Sequence, residues 1–532
     1  MVWTKLFRNL LAALCLVSVG AQAAALKEIA TPFTGTSFSA KSAAVEQVVA
    51  SGEEGADLLL RQLMDGNLYF RADDKRLVAA QKSENGFVIE DAFTGEPLGE
   101  VGRWDVRPVA INNAIRGQLR AALAIVGLSN PNPEVREQSV RRIMRDPDPA
   151  TLPALEARIA DEDDRSVRAL MQDLRRLLQL DSNDPALREK AARELSGSLQ
   201  SPIRNKLRTI AAEDPETQVR LAAEQSLENI ATLRKVNQVA ENLFFGIGLG
   251  SVLLLAAIGL AITFGVMGVI NMAHGEMIML GAYTTFVVQQ LMPQHIGASL
   301  FVAIPAAFAV SGLAGILIER LVIRHLYGRP LETLLATFGI SLILQQGVRS
   351  IFGSLNQSVQ TPDWMSGSLI VNGALSLTYN RITIILFSFA VLFVLLLVLR
   401  KSFFGLQMRA VTQNRAMASS MGVRTGWVDA LTFGLGSGIA GIAGVALSQL
   451  TNVGPNLGQQ YIIDSFLVVV FGGVGNLWGA LVGAMTLGIA NKVIEPFAGA
   501  VLAKVLVLIA IILFIQKRPR GLFALKGRSV EN

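Results

Sequence analysis

Cysteine is all but missing from this sequence: Cys15 stands alone. It lies within the apolar stretch Leu10 to Gly20, which follows Lys5 and Arg8 and precedes Ala21-Gln-Ala23. That order is a secretory leader, with cleavage expected after Ala23. Leu14 stands before the cysteine where a lipoprotein site needs a small residue, so lipidation is not expected. The mature chain would then lack disulfides and thiolate metal sites altogether. Histidine is nearly as scarce, with three at positions 274, 295 and 325, and no metal site or catalytic constellation is expected. The dipeptide Gly-Lys occurs nowhere, which excludes a phosphate-binding loop of the Gly-x-x-x-x-Gly-Lys-Ser/Thr type. Any ATP must be bound by another chain, no cofactor is expected, and the protein is not read as an enzyme.

Charge is sparse, at 17% of 532 residues against 51% hydrophobic, and it is unevenly spread. Residues 24 to 237 are rich in Arg, Asp, Glu and Pro without an apolar run near span length, whereas residues 238 to 532 hold almost all the long apolar segments. Three parts follow: a signal peptide 1–23, a soluble domain 24–237 and a transmembrane domain 238–532. The net charge of +6 is scattered over loops and helix faces, so it fits membrane orientation, not nucleic acid.

In the soluble part an arginine recurs: Pro133-Glu-Val-Arg136, Arg165-Ser-Val-Arg168, Pro185-Ala-Leu-Arg188 and Thr217-Gln-Val-Arg220, spaced by 32, 20 and 32 residues. Each opens an amphipathic run, such as Val135 to Met144 or Val219 to Ile230. The pattern predicts a mainly α-helical, HEAT-like repeat domain acting as an interaction module, with a plain helical bundle as the alternative. Asn67 to Arg71 and Gly86 to Glu90 alternate like strands, and Asn85-Gly86 and Thr94-Gly95 supply turns, so a small β-hairpin is expected ahead of the repeats. Asp73-Asp74 and Asp163-Asp164 read as helix starts or solvated faces.

The rest is expected to be an all-α membrane protein, a polytopic transmembrane helical bundle with re-entrant or broken helices. Spans are predicted at Asn242–Phe264, Met277–Leu291, Gly297–Ile318, Leu331–Ile351, Ile382–Leu399, Trp427–Leu450 and Val501–Ile515, each near the length that crosses about 30 Å of hydrocarbon. An exported first domain puts the basic loops 320–329 and 400–424 in the cytoplasm. The basic tail from Lys517 joins them only if Tyr461–Asn491, with Gly472-Gly473-Val474-Gly475-Asn476 at its middle, is a re-entrant hairpin or two short half-spans. The ladder Gly434, Gly436, Gly438, Gly441, Gly444 marks a closely packed helix face. Asp464, Glu495 and Lys504 are read as interfacial charges or a local ion pair.

Polar groups interrupt the apolar pattern at Gly268-Val-Ile-Asn271-Met-Ala-His274-Gly-Glu276, where Gly265, Gly268 and Gly275 should loosen the helix. Asn271, His274 and Glu276 are costly in hydrocarbon unless they face protein or water. With Gly472, Gly473, Gly475 and Asn476 they are the candidates for a solute path; the alternative is a loop joining two ordinary spans, with His274 a packing residue. A second segment, Phe404 to Val423, has helically spaced Leu406, Ala410, Met417 and Met421, an interruption at Thr412 to Asn414 and a helix stop at Gly422. It could dock into another protein or lie at the interface.

These motifs, together with Arg518-Pro-Arg-Gly-Leu-Phe523, make residues 238 to 525 resemble the branched-chain amino acid type permeases of ABC importers. With the exported helical domain and the Asn271-Met-Ala-His-Gly-Glu276 wording, the chain is most similar to the B-type permease subunits of urea transporters within that family. The resemblance implies a heterodimer with a second permease subunit, two cytoplasmic ATP-binding subunits and a periplasmic solute-binding protein, in the lipid of a bacterial inner membrane. It implies an ATPase-coupling helix over 405–422, carrying Gly405, Arg409, Asn414, Met417, Met421 and Gly422. Urea or short amides are the expected solutes. Branched-chain amino acids are the alternative, and a channel or secondary transporter is the alternative of another class.

Overall fold

The computed structural model describes residues 26–51, 55–83 and 86–523. The stretch read as a leader, with Cys15, as well as Asn85 and the residues after Phe523, lies outside the described residues. The chain divides into two compact units at Leu233/Arg234.

The first unit opens with helices α1 (Phe38–Ser51) and α2 (Ala56–Met64), then a sheet, then α3 (Asn113–Leu128). The sheet has five antiparallel strands in the order β4-β3-β2-β1-β5, so the expected hairpin is too small. The two strands foreseen are β1 (Leu68–Arg71) and β3 (Phe87–Asp91), and they do not pair. Between them runs β2 (Leu77–Lys82), and the edges are β4 (Pro97–Val101) and β5 (Val106–Pro108). The missed strands include one with two alanines and one that starts on a proline, residues with poor strand propensity that a sheet still admits beside stronger strands and at edges. Of the two readings of Asp73-Asp74 the solvated one holds: the exposed pair forms the β1–β2 turn, where Asp74 Oδ1 accepts from the Arg76 amide at 2.9 Å.

Five helices follow, α4 (Pro133–Arg145), α5 (Leu152–Asp161), α6 (Arg165–Gln179), α7 (Pro185–Glu194) and α8 (Ser201–Glu213), and then α9 (Thr217–Met267). Their apolar stripes close one core around Val140, Met171, Leu174, Leu207 and Ala223. Asp164 caps α6, accepting from the Ser166 and Val167 amides. The uneven arginine spacing has a structural cause. Arg136 pairs with buried Glu162 (2.6 Å) and Arg188 with Asp214 (2.8 Å), each 26 residues on. Arg168 and Arg220 instead donate to the backbone carbonyls of those same acids. The repeating unit is thus an arginine–acid–arginine device with a period of 52 residues, the distance from Arg136 to Arg188 and from Arg168 to Arg220.

Arg188 holds the Asp214 carboxyl below its ordinary range. A depressed carboxyl stabilises the fold above its unfolded pKa of about 3.9, and that contribution is lost as pH falls through the lower folded value. Arg136→Ala would leave the wholly buried Glu162 with the Asp164 amide at 3.0 Å and, as its one cation, Arg158 at 3.5 Å. Removing one member of a buried pair costs about 3 kcal/mol, so hydrogen exchange in peptides covering 133–168 should accelerate on the order of 100-fold. A change below about threefold would show the device to be incidental.

The second unit is built from the rest of α9, then α10 (His274–Leu291), α11 (Ile296–Leu321), α12 (Pro330–Phe352), α13 (Tyr379–Lys401), α14 (Phe403–Gln413), α15 (Arg415–Ser420), α16 (Thr425–Ser448), α17 (Leu457–Gly472) and α18 (Leu477–Lys517). A hairpin, β6 (Ser368–Asn372) with β7 (Leu375–Thr378), precedes α13. Among the described residues six helices are long and apolar enough to cross a membrane. At 41 residues α18 is about 60 Å long if straight. It is broken at Gly499 (φ 79°) just after Pro496, so its second half matches the span expected over 501–515. Tyr461–Asn491 is therefore two helices, α17 and the first half of α18, turned at Gly473 to Asn476. Ion pairs Lys504–Asp464 (3.2 Å) and Lys492–Glu495 (2.6 Å) account for the isolated charges.

The glycine ladder of α16 does what its spacing implies, against three helices. A Cβ at Gly436 would meet the Gly259 carbonyl of α9 at 2.6 Å and at Gly441 the Ala307 carbonyl of α11 at 2.6 Å; at Gly444 it would run into the Ile278 carbonyl of α10, closer still. Backbones this close make α9, α10, α11 and α16 one interlocked block.

Candidate functional site

The helix α9 ends at Met267 because Gly268 turns left-handed (φ 69°), and α10 does not begin until His274. The break is thus 268–273, shorter than the sequence implied, and Glu276 belongs to the first turn of α10, where a carboxylate suits the helix N-terminus. Gly268 alone of the three glycines loosens the chain. Gly265 and Gly275 are contact points: a Cβ on them would strike Gly475 Cα at 2.5 Å and the Gly458 carbonyl at 2.5 Å.

Asn271, His274 and Glu276 are each no more than 1% exposed. Glu276 Oε1 accepts from Ser341 Oγ at 2.9 Å and Gln345 Nε2 at 2.7 Å. Both donors come from α12, and they belong to a stripe that sequence reasoning missed. Thr333, Thr337, Ser341 and Gln345 are buried at four-residue intervals along one face, and Arg349 follows, donating to Asn456 Oδ1 at 2.6 Å. Thr337 Oγ1 accepts from the Met272 amide at 3.1 Å. The other face of α12 is apolar and outward, with Leu335 and Ile343 about 70% exposed. The signal was legible as an i, i+4 run of polar residues inside an apolar span.

The side chains of the three sequence candidates do not bond to one another, although the His274 amide donates to the Asn271 carbonyl at 3.4 Å. Asn271 Oδ1 accepts from the Ala273 amide at 3.0 Å, and His274 Nε2 lies 2.9 Å from the Ala256 carbonyl of α9. A carbonyl only accepts, so the proton belongs on Nε2 and the ring is oriented towards α9. Among the described residues, Glu276 Oε2, Asn271 Nδ2, His274 Nδ1 and the Tyr283 hydroxyl are buried without a hydrogen-bond partner. Unpaired buried polar atoms cost about 1–3 kcal/mol each, and this set is carried by α10 and the break before it. No group of three or more His, Cys, Asp or Glu able to hold a metal occurs among the described residues.

Gly472, Gly473, Gly475 and Asn476 lie elsewhere, at the end of the bundle where α9 stops. Gly473 (φ 106°) and Gly475 (φ 79°) make the α17–α18 turn, and Asn476 caps α18 by accepting from the Trp478 and Gly479 amides. The terminal motif closes the same turn: Leu522 and Phe523 amides donate to the Phe471 and Gly472 carbonyls at 2.9 and 3.1 Å. Gly472 thus ends α17, and Gly473, Gly475 and Asn476 make a tight turn into α18 within the segment 461–491.

The segment 403–420 reaches that end too. It is two helices broken at Asn414, as the interruption in its pattern implied. Ser402 caps α14 and Asn414 caps α15, and Gly422 (φ 85°) ends it. Arg409 donates to the Leu399 carbonyl. Leu406, Met417 and Met421 are 54%, 61% and 78% exposed, so this segment offers an apolar outer face. A cavity of about 430 Å³ lies between it and the broken turns, lined in part by Gly265, Gly405, Arg409 and Gly475.

Six apolar helices around a buried polar stripe, with a short helical segment exposed at one end, define a multi-pass membrane transport protein. Residues 242–516 match the family described as the permease component of branched-chain amino acid transport systems, and the chain belongs to that family. It is similar to the high-affinity branched-chain amino acid permease protein LivH of Salmonella typhimurium, with 32% identity over 292 residues, 53% of this chain and 94% of the relative. BraD of Pseudomonas aeruginosa is 30% identical over 291 residues, again 53% and 94%. The ribose import permease RbsC of Bacillus subtilis is 28% identical over 155 residues, 27% of this chain and 47% of that protein. No solved structure matches. The chain is accordingly a permease subunit of an ABC-type inner-membrane transporter, not an enzyme, and membership implies ATP-binding and solute-binding partners.

Proposed function

We propose that this permease subunit forms half of the path for a small, neutral, polar solute, urea or a short amide, and works as a heterodimer with a second permease, two cytoplasmic ATPases and a periplasmic binding protein. The observation that carries this reading is the buried stripe between α10 and α12. Glu276, Ser341, Gln345 and Asn271 are buried hydrogen-bonding groups among apolar helices, and two of their atoms, Glu276 Oε2 and Asn271 Nδ2, are unmet. Urea presents donors and acceptors around a small plane, which such groups complement. Gly472 to Asn476 would shape the inner mouth of that path. We read the 405–422 segment as the ATPase-docking element, with its Met417 and Met421 seated in a partner groove; its basic neighbours favour the cytoplasmic side, with residues 24–237 periplasmic as a HEAT-like interaction module.

Branched-chain amino acids are the second reading, favoured by the names of the LivH and BraD relatives. Uptake into cells carrying the full transporter, measured with labelled urea, acetamide and leucine, separates the two. ATP-dependent accumulation of urea or acetamide, unaffected by excess leucine, is the expected result. Leucine uptake that urea does not compete would select the amino acid reading. In the same cells Met417→Asp with Met421→Asp should abolish uptake of either solute while the protein remains in the membrane.

A further inference from the structure

At the foot of the interlocked block lies a charged and aromatic cluster that no sequence motif announced. Asp429, in the first turns of α16, is completely buried. Arg415, at the start of α15, grips it with both guanidinium branches: Nη1 donates to Oδ1 at 3.1 Å and Nη2 pairs with Oδ2. Within the described residues this is the one ion pair joining the 403–420 segment to a membrane helix. The Arg415 guanidinium also stacks 4.8 Å from the centre of the Tyr327 ring. The Tyr327 hydroxyl donates to Glu319 Oε1 of α11 at 3.1 Å. Glu319 is itself buried and lies 3.7 Å from Arg320, whose guanidinium covers the Trp427 ring of α16 at 4.2 Å. The cluster therefore ties α15 to α16 and α11 at once.

We propose that Arg415 and Asp429 are the joint through which movement of the docking segment is delivered to the membrane helices, with Tyr327, Glu319 and Arg320 holding its far side. The proposal rests on the docking role assigned to 405–422. A buried carboxylate stripped of its cation is strongly disfavoured in a low-dielectric site, so α16 follows Arg415 in preference to releasing it. Bidentate pairing fixes direction as well as distance, which a lysine at 415 would not do. The glycine contacts of α16 at Gly441 and Gly444 then pass the displacement to α11 and α10, because backbones in van der Waals contact cannot yield independently. The helix α10 carries Glu276, so the chain of contacts leads from the docking segment to the polar stripe. Arg415 and Asp429 act through other residues and are positioning residues.

The test uses the whole transporter, purified with its second permease and ATP-binding subunits and reconstituted into liposomes of bacterial lipid with its solute-binding protein supplied, with ATP hydrolysis and solute uptake measured on one sample. Wild-type uptake driven by ATP is established first; its absence would defeat the docking reading and this proposal with it. Given that activity, Asp429→Asn and Arg415→Gln should leave the ATPase bound and hydrolysis within about twofold, while solute moved per ATP falls about tenfold. Arg415→Lys should recover part of that ratio, and Tyr327→Phe should lower it about threefold. If a buried-site variant does not insert, Tyr327→Phe, which removes one hydroxyl at the edge of the cluster, decides the matter. A staple with no part in transmission would lower hydrolysis and uptake together. An unchanged ratio of solute to ATP in Tyr327→Phe and in every variant that inserts overturns the joint while leaving the docking reading intact.

Discussion

Glu276→Ala lowers uptake per permease molecule by one to two orders of magnitude without loss of protein from the membrane. The side chain is the acceptor for Ser341 and Gln345; deleting it strands two buried donors on α12, each at a cost of about 1–3 kcal/mol. Those donors then turn to each other, already 3.3 Å apart, or to the solute, and either alters the barrier the solute meets by about tenfold per 1.4 kcal/mol. Glu276→Gln keeps the shape and one acceptor and should fall between wild type and alanine. Initial rates of labelled solute uptake, normalised to permease in the membrane, check this. Uptake within twofold of wild type in both Glu276→Ala and Ser341→Ala would reduce the stripe to a packing device.

The second large effect concerns stability. In Gly444→Ala the new methyl would press on the Ile278 carbonyl oxygen and sit 2.7 Å from the Ala282 amide nitrogen, both backbone atoms. Backbone cannot rotate away, so α10 and α16 must part along the stretch that also holds the Gly281–Gly441 contact. Overpacking of this kind costs about 1–3 kcal/mol, and more where backbone is the obstacle. Thermal denaturation in detergent should show a fall of about 5–10 °C. The sign reverses on α12: a methyl added at Gly339 or Gly347 would have nothing within 4 Å, so alanine there should raise helix stability by about 0.5–1 kcal/mol. Equal effects at 444 and 339 would mean that helix propensity, not the close approach, governs these glycines.

What the sequence disclosed and what it hid divide along physical lines. Helix existence was plain wherever lipid faces the chain: α13, with a mean hydropathy of 3.2, is only 22% buried over its most apolar window. The break after Gly268, the interruption at Asn414 and the stop at Gly422 were visible because glycine and asparagine have few other uses at those positions. Hidden were features that depend on two distant segments meeting. Ser341 and Gln345 are ordinary polar residues until α12 is laid on α10, and Arg415 is one basic residue among several until Asp429, fourteen positions on, is found buried beneath it. How the turn at Gly473 to Asn476 is closed was hidden because the segment that closes it, Leu522 and Phe523, lies about 50 residues away. In the first unit the uneven arginine spacing obscured a regular period, since alternate arginines meet different atoms of the same acid.

The enclosure of α10 bears on how the protein is made. Its ends carry His274, Glu276, Gln289 and Gln290, and it falls short of the hydropathy that marks the spans. A nascent helix leaves the insertion channel for lipid according to its own apolar surface, and this one has too little. It must wait at the channel for α11, whose apolar window has a mean hydropathy of 2.3, and enter the bilayer as a pair with it. The short connection at 292–295 is suited to such joint release. The quality control of biogenesis would then read α10 and α11 as one hydrophobic hairpin, and the polar residues of α10 would never be presented to lipid alone.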